Sequence, residues 1–340
     1  MTQATPQTVE QPAVPVVARK AAVRDLLFRR FGAPGLALVV AVALFLVGGI
    51  FAPGFTSPGQ AVSILTIATL LALISLGQTL VVISGGEGLD LSVGAVLTLS
   101  AVITAAVINS TSGNTAFGIV AAVAASAIVG LANGAGIVVL KLPPLIVTLA
   151  ISGVLAGLSL VLTNGSPSGG PSPELVAFVR QPVLLGLPAV TYALVILAIA
   201  VWAGMNRTKF GKSLFATGSN RAAARWSGMD VKSVVILTYG LAGFAGGIGG
   251  VVLTGYAGSV SLSIGNQYTL LSIAAVVVGG TLLAGGVGSF WGTTAGALLL
   301  TVLTAFLTAL DLSPAWRQVL YGLIFLVLVL LYGREKSLRQ

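Results

Sequence analysis

The chain of 340 residues is 56% hydrophobic and only 7% charged, and its mean hydropathy is +1.05. Soluble domains carry roughly 25% charged residues, so this composition excludes a water-soluble globule and predicts a polytopic membrane protein. Cysteine and histidine are both absent, which excludes disulfides and removes the commonest metal ligand and general base. We therefore expect no metal site and no cofactor. The net charge of +9 falls in membrane-flanking loops, so it indicates topology and no nucleic-acid partner.

The chain begins with a polar segment. Residues 1–18 are rich in Pro, Gln and Thr, which is typical of disorder, and basic residues follow them. No basic region precedes an apolar core at the extreme N-terminus, so we expect no cleaved signal peptide. We predict a disordered, basic, cytoplasmic N-terminus at 1–32, a transmembrane domain at 33–333 and a cytoplasmic tail at 334–340.

A helix needs about 20 apolar residues to cross a bilayer, and the chain contains ten such runs separated by turn residues. They are 33–52, 61–84, 90–109, 115–140, 144–164, 189–206, 233–256, 270–285, 289–310 and 316–333. The eighth run is short and rich in glycine, so we expect that helix to be broken or tilted. The predicted fold is all-α, with about ten transmembrane helices.

The distribution of Lys and Arg orients these helices. With the N-terminus in the cytoplasm, 15 of the 17 basic residues lie on the inner side, and only Arg180 and Arg317 lie outside. This asymmetry predicts ten spans with both ends in the cytoplasm. The longest outer loop, 165–188, is either a flexible connector or an apolar segment that lies in the membrane interface or against a partner. The sequence leaves both interpretations open.

The central cytoplasmic loop, 205–232, carries six of the 17 basic residues. Within it Asn220 can cap a two-turn helix, and Gly228 suits the left-handed conformation that ends a helix. A helix this short is marginal in water, and its apolar face, Ala222 with Trp226, suits a cleft on a cytosolic partner. The alternative is a positively charged anchor without a partner.

Two phosphate-loop patterns are incomplete. The Gly-Lys-Ser sequence at 211–213 resembles the end of a nucleotide-binding loop, but Asn206 stands where that loop needs a glycine. Trp291 stands where a dinucleotide-binding loop starting at Gly286 needs its third glycine. Because clustered carboxylates are also absent, the sequence favours a protein that is not an enzyme.

Coupling to ions requires acidic or histidine side chains inside the spans. The chain has eight acidic residues. Six of them lie in water-exposed segments or at an outer turn, and the other two are Glu87 and Asp90. Asp90 or Ser92 can cap the third predicted helix, and this interpretation is favoured over an ion relay, which stays open. We therefore expect the energy for any transport to come from another subunit.

Neutral polar residues inside the spans are a further signal. Four threonines of the ninth span, from Thr294 to Thr308, lie within about a quarter of the helix circumference. The favoured interpretation is hydrogen bonding between helices, and the alternative is a passage for an uncharged, polyhydroxylated solute. The candidate passage and hinge residues are Gln78, Asn133, Thr301, Asp90 and Ser92.

Three stretches resemble the permease subunits of bacterial ABC importers, in the ribose-type simple-sugar branch. The first, residues 77–102, contains GGEGLDLSVG, close to the family's Gly-Gly-Ile-Asp-Leu-Ser-Val-Gly. The second is 133–167, and the third is RTKFGKSLFATGSNRAAARWSGMDV at 207–231, followed by 273–300. The resemblance covers residues 33–333, nearly the whole membrane part.

This resemblance implies a multi-pass permease of the bacterial inner membrane, in contact with membrane lipids. Its implied partners are a cytosolic ABC ATPase, a second permease copy and an external solute-binding protein. The loop helix is then the coupling helix that fits the ATPase, with coupling residues Gly218, Asn220, Ala223, Ala224, Arg225 and Gly228. The implied cargo is a pentose or hexose such as ribose. A polyol or nucleoside importer, a stand-alone ion-coupled carrier and a membrane scaffold or receptor that transports nothing remain alternatives.

The chain departs from the family pattern at three places. Glu87 and Gly88 lengthen the first motif, so that Asp90 is displaced by one residue. Ala222 stands where relatives often place glutamate in the coupling helix. Thr269 and Leu271 stand where many relatives carry acidic residues. We expect these departures to affect the ATPase contact and the solute selectivity.

Overall fold

The computed structural model describes residues 23–313 and, beyond these, residues 315–317, 319, 320, 322, 323 and 326. The helices are α1 (Val23–Phe51), α2 (Pro58–Ile83), α3 (Val93–Ile108), α4 (Thr115–Val139), α5 (Pro144–Leu162), α6 (Pro173–Arg180), α7 (Ala189–Arg207), α8 (Lys209–Ser219), α9 (Arg221–Trp226), α10 (Val231–Ala257), α11 (Asn266–Val278) and α12 (Phe290–Ala309). A 3₁₀ turn covers Ser112–Asn114, and two short strands, β1 (Pro182–Leu184) and β2 (Leu187–Pro188), pair antiparallel.

Within the described residues, seven helices are long and apolar enough to cross a membrane: α1 from Gly32 onward, α2, α4 extended to Ser112, α5, α7, α10 and α12. The predicted third and eighth spans correspond to the shorter apolar helices α3 and α11. The described residues do not include the predicted C-terminal tail. They include only parts of the predicted tenth span and of the predicted N-terminal segment. The all-α polytopic class is confirmed, while the count of ten and the orientation of the ends stay predictions.

The predicted eighth span is interrupted. The observed helix, α11, ends at Val278. Residues 279–289 then form a loop in which Gly280 and Gly285 both have a φ of +88°. This backbone conformation is open to glycine and lies outside the α-helix. The expected break is confirmed, and the predicted continuation of the helix to residue 285 is wrong.

The outer loop, 165–188, is ordered. It contains α6, whose first turn is capped by Ser172 accepting a hydrogen bond from the Leu175 amide at 3.3 Å, and the β1–β2 hairpin. Leu175 and Val179 are buried against α10. The interpretation as a flexible connector is therefore wrong. Leu185 at the hairpin tip is 85% exposed, so an apolar contact with the membrane surface or a partner remains open.

The centre of the bundle is α10, which packs most extensively on α4 and also on α2 and α3. Glycines permit this close approach. A Cβ atom built on Gly243 would lie 2.9 Å from the Gly130 Cα, and one built on Gly77 would lie 2.7 Å from the Ala242 Cα. Carbon atoms of real side chains do not come this close, so α10 is held where larger residues could not fit.

Candidate coupling and passage sites

Two glycine-containing loops and the C-terminal end of α8 meet at the end of the bundle that carries α9. The loops are the one after α2 and the one between α11 and α12. We call their contact the glycine junction and define it as Gly85, Gly218, Gly285 and Gly286. The Gly286 amide donates a hydrogen bond to the Ile83 carbonyl at 2.9 Å. The junction therefore joins the end of α2 directly to the loop between α11 and α12.

The α8–α9 joint fits into the same junction. A Cβ atom built on Gly85 would lie 2.7 Å from the Gly218 carbonyl oxygen, and one built on Gly286 would lie 2.8 Å from the Ser219 Cα. Gly85 and Gly286 also have φ values of +69° and +74°, which disfavour other residue types. The backbones of the two loops and of the end of α8 are thus in direct contact.

Arg221 fastens α9 to this junction. Its Nη2 donates a hydrogen bond to the Gly85 carbonyl at 2.9 Å, and its side chain is partly buried. Burial lowers the pKa of the Arg221 guanidinium from its ordinary value, and the nearby charge of Arg225 also lowers it. The group nevertheless stays cationic, because arginine is not deprotonated in proteins. The bond is therefore charge-assisted and stronger than one between neutral groups.

The helix α9 has the local structure that its sequence predicts. The Asn220 side-chain oxygen accepts hydrogen bonds from the amides of Ala222 at 2.9 Å and Ala223 at 3.0 Å, which is an N-cap. Gly228 has a φ of +78°, and the next amide, that of Met229, donates to the Ala224 carbonyl at 3.1 Å. The predicted cap and the predicted left-handed stop are both confirmed.

The predicted coupling residues do not share one surface. Gly218 and Ala224 are buried, and Ala224 packs in a cluster with Val81 and Tyr239, so these two hold α9 to the bundle. Ala223 and Arg225 are exposed. Trp226, which shares the predicted apolar face with Ala222 but is not among the predicted coupling residues, is 91% exposed. The outward surface of α9 is therefore an apolar ring beside a cation.

Asp90, Ser92 and Asn133 form one buried chain of hydrogen bonds. The Asp90 Oδ1 accepts from the Ser92 amide at 2.8 Å and from the Ser92 hydroxyl at 2.5 Å. The Ser92 Oγ in turn accepts from the Asn133 Nδ2 at 2.8 Å. Ser92 precedes α3 directly but makes no side-chain capping bond. The prediction that the Ser92 side chain caps α3 is therefore wrong, whereas the Asp90 carboxylate accepts from the amide of Ser92, the residue directly before the helix.

The same loop is tied to α5. Thr148 accepts a hydrogen bond from the Leu91 amide at 3.2 Å, and the Ser152 hydroxyl donates to the Leu91 carbonyl at 2.9 Å. Together with Asn133 on α4, these bonds link the start of α3 to two neighbouring helices. Neither Thr148 nor Ser152 is among the predicted site residues, although their spacing of one helical turn places both on the same face of α5.

Gln78 and Thr301 lie apart from this hydrogen-bonded chain. Gln78 is fully buried on α2, and neither its amide nitrogen nor its oxygen has a hydrogen-bond partner among the described residues. The Thr301 hydroxyl donates to the Ala297 carbonyl of its own helix at 2.8 Å, as Thr294 does to Phe290 at 2.9 Å. The hydrogen bonds that these two threonine hydroxyls donate therefore lie within α12 and do not connect it to another helix.

The architecture defines an α-helical multi-pass membrane protein with a docked, capped helix at one end. The sequence profile of the family described as "Branched-chain amino acid transport system / permease component" matches residues 60–329. The chain therefore belongs to this permease family, and it is a transport component rather than an enzyme.

Several curated proteins are similar over most of their length. The ribose import permease protein RbsC of Bacillus subtilis strain 168 is 35% identical over 295 residues, which cover 86% of this chain and 90% of that protein. The galactose/methyl galactoside import permease protein MglC of Haemophilus influenzae is 33% identical over 318 residues, covering 87% and 94%. The autoinducer 2 import system permease protein LsrC of Yersinia pseudotuberculosis is 30% identical over 315 residues, covering 90% and 88%. No solved structure matches the chain significantly.

Proposed function

We propose that this chain is the membrane-spanning subunit of an ATP-driven ABC importer that brings a monosaccharide, such as ribose or a related pentose or hexose, into a bacterial cell across the inner membrane. The relatives named for ribose, galactose and autoinducer 2 import support a small hydroxylated cargo. The observation that carries the proposal is α9, a capped helix with an exposed Trp226 that is bonded to the bundle through Arg221.

Coupling follows from the connections of α9. An ATPase seated on the surface formed by Ala223, Arg225 and Trp226 pushes α9 when nucleotide closes its two subunits. Because Arg221 is bonded to Gly85, this push reaches the loop between α2 and α3. The bond between Gly286 and Ile83 carries it into the loop before α12. The bundle then alternates between states open to either side, without an ion gradient.

Asp90, Ser92 and Asn133 act in this proposal as the hinge at the start of α3. Their bonds connect three elements through short, polar contacts that can be exchanged for others at little net cost. Gln78, whose buried amide group has no partner among the described residues, supplies donors and acceptors to the passage. Thr301 contributes an oxygen near the opposite end of the bundle.

The proposed complex contains a second permease copy and an external solute-binding protein. On α5, a Cβ atom added to Gly153 or Gly157 would meet no described residue within 4 Å, so this apolar surface is open to lipid or to the second copy. The solute-binding protein sits on the face that includes the hairpin at Leu185. The basic residues on the other face keep the N-terminus and α9 in the cytoplasm.

The proposal is tested by reconstituting the permease in proteoliposomes with an ATPase and a solute-binding protein from the same system. We expect uptake of D-ribose or another monosaccharide that requires ATP inside and stops when the ATPase is omitted. Uptake driven by a proton or sodium gradient without the ATPase would identify an ion-coupled carrier instead. Preference for a polyol or a nucleoside in the same assay would correct the cargo and leave the importer class intact.

A further inference from the structure

A cavity of about 560 Å³ lies at the end of the bundle opposite α9, where the turn between α1 and α2 meets the end of α12. This volume falls in the range of small-molecule sites, roughly 300–1,000 Å³. The turn contributes Phe55, the start of α2 contributes Gln60, and the far end of α12 contributes a row of threonines. The cavity is thus separate from the glycine junction and from the Asp90 chain of hydrogen bonds.

The solvent exposure of the threonines increases from the floor of the cavity to its mouth. Thr301 is 3% exposed, Thr304 is half-buried and Thr308 is exposed, with about one helical turn between neighbours. The proton of the Thr301 hydroxyl is used in the bond to the Ala297 carbonyl. Its oxygen retains lone pairs, so the floor of the cavity offers a hydrogen-bond acceptor to a hydroxyl group.

Arg317 supplies donors on the other side. Its Nη1 donates to the Thr308 Oγ1 at 2.6 Å, which holds the guanidinium over the cavity. Its Nε is buried and has no partner among the described residues. A buried guanidinium N–H without an acceptor costs free energy, and an entering oxygen atom relieves that cost. The amide of Gln60 adds both a donor and an acceptor.

An apolar wall completes the site. Phe55 lines the cavity from the α1–α2 turn and packs edge-on against Phe306 of α12, with ring centroids 6.2 Å apart. Sugars carry C–H groups on the faces of their rings and hydroxyl groups around the rim. A cavity with an aromatic side chain, a hydroxyl acceptor and a guanidinium donor matches both kinds of group.

We propose that this cavity is a binding site for a small polyhydroxylated solute of monosaccharide size, on the face where the solute enters. This rests on the proposed function for the choice of solute. Thr301 accepts from a solute hydroxyl, the Arg317 Nε donates to a solute oxygen, and Phe55 covers the apolar ring face. Solute released by the binding protein is held here before the bundle changes state.

The absence of native cysteine allows a direct test in proteoliposomes that contain the whole complex. A single Thr304→Cys variant is treated from the solute-entry side with a membrane-impermeant thiol reagent, with and without D-ribose or D-galactose. We expect modification that at least one sugar slows several-fold. The matched control is Thr294→Cys, which is on the same helix but does not line the cavity, and we expect it to react slowly and without sugar dependence.

A second variant tests the acceptor. Thr301→Val keeps the shape of the side chain and removes its oxygen. We therefore expect the KM for import to rise about tenfold, the effect of losing a hydrogen bond of about 1.4 kcal/mol. If neither sugar slows the modification of Thr304→Cys, the proposed solute site is overturned. If the modification depends instead on the anionic lipid content of the vesicles, the cavity is a lipid pocket and the proposal is likewise overturned. ATP-dependent import by the unmodified chain in the same vesicles separates this failure from failure of the proposed function.

Discussion

The Arg221 guanidinium donates a hydrogen bond to the Gly85 carbonyl at 2.9 Å, across 136 residues of sequence. It joins the first residue of α9 to the loop that follows α2. The side chain passes so close to Gly86 that a Cβ atom there would collide with the guanidinium. The small helix α9 is thus bonded to the rest of the bundle and does not merely rest on it.

Replacing Arg221 should uncouple ATP hydrolysis from transport. Arg221→Ala removes the bond to Gly85, so α9 can move without moving the α2–α3 loop, and we expect the number of solutes moved per ATP to fall at least tenfold. The loss in stability should be small, on the order of 1 kcal/mol, because the side chain is only partly buried. Solute uptake and phosphate release measured in the same proteoliposomes give this ratio. Lys209→Ala, at an exposed site on α8, is the control, and an equal fall in both variants would rule out a specific role for Arg221.

Gly228 should tolerate asparagine and reject valine. Its φ of +78° is strained for a β-branched side chain and acceptable for asparagine. Since nothing lies within 4 Å of an added Cβ, the effect comes from the backbone and not from a clash. We expect Gly228→Val to abolish transport and ATPase stimulation while membrane insertion, measured in membrane fractions, stays normal. Full coupling in the valine variant would contradict the role of α9.

Trp226 should carry a large share of the affinity for the ATPase. Its ring is 91% exposed, and buried tryptophans at interfaces often contribute 2 kcal/mol or more. Trp226→Ala should therefore weaken ATPase binding about thirtyfold, measured with purified subunits in detergent, and leave the unfolding temperature unchanged. The control is Trp316→Ala, at an exposed residue that follows the C-terminal end of α12. Unaltered affinity in the Trp226 variant would move the docking surface elsewhere.

Substitutions at Asp90 should show whether this residue stabilises a turn or relays an ion. An asparagine at this position can still accept the bonds from Ser92 but cannot carry a proton. We expect Asp90→Asn to keep most of the ATP-driven uptake and Asp90→Ala to lose it. The measurement is the initial uptake rate with and without an imposed proton gradient. Loss of all activity in the asparagine variant, together with a gradient dependence in the wild type, would favour the relay.

The local features of this fold could be predicted, and the distant contacts could not. The cap at Asn220 and the stop at Gly228 depend on residues within one or two turns, so their signals are present in the sequence. The helix α8 also has a local signal that the predicted loop does not include, because Thr208, whose hydroxyl accepts a bond from the Gly211 amide at 3.1 Å, is a suitable N-cap.

The glycine junction has no local signal. Gly85, Gly218 and Gly286 come from three parts of the chain, and no pattern around any of them predicts that the three meet. Likewise, Asp90 and Ser92 were correctly placed near the start of α3, but their bond to Asn133 depends on how α4 packs. The side chain of Gln78 has no hydrogen-bond partner among the described residues, so Gln78 stays a candidate for the passage.

The most direct test is cross-linking from α9 to the ATPase. The chain lacks cysteine, so a single Ala223→Cys variant can carry a thiol-attached photo-cross-linker, and Ser261→Cys, exposed in the loop between α10 and α11, serves as the control. We expect a covalent adduct with the ATPase from residue 223, with a yield that changes on ATP binding, and none from residue 261. If the intact complex gives no ATPase adduct from residue 223, α9 does not transmit the work of ATP hydrolysis.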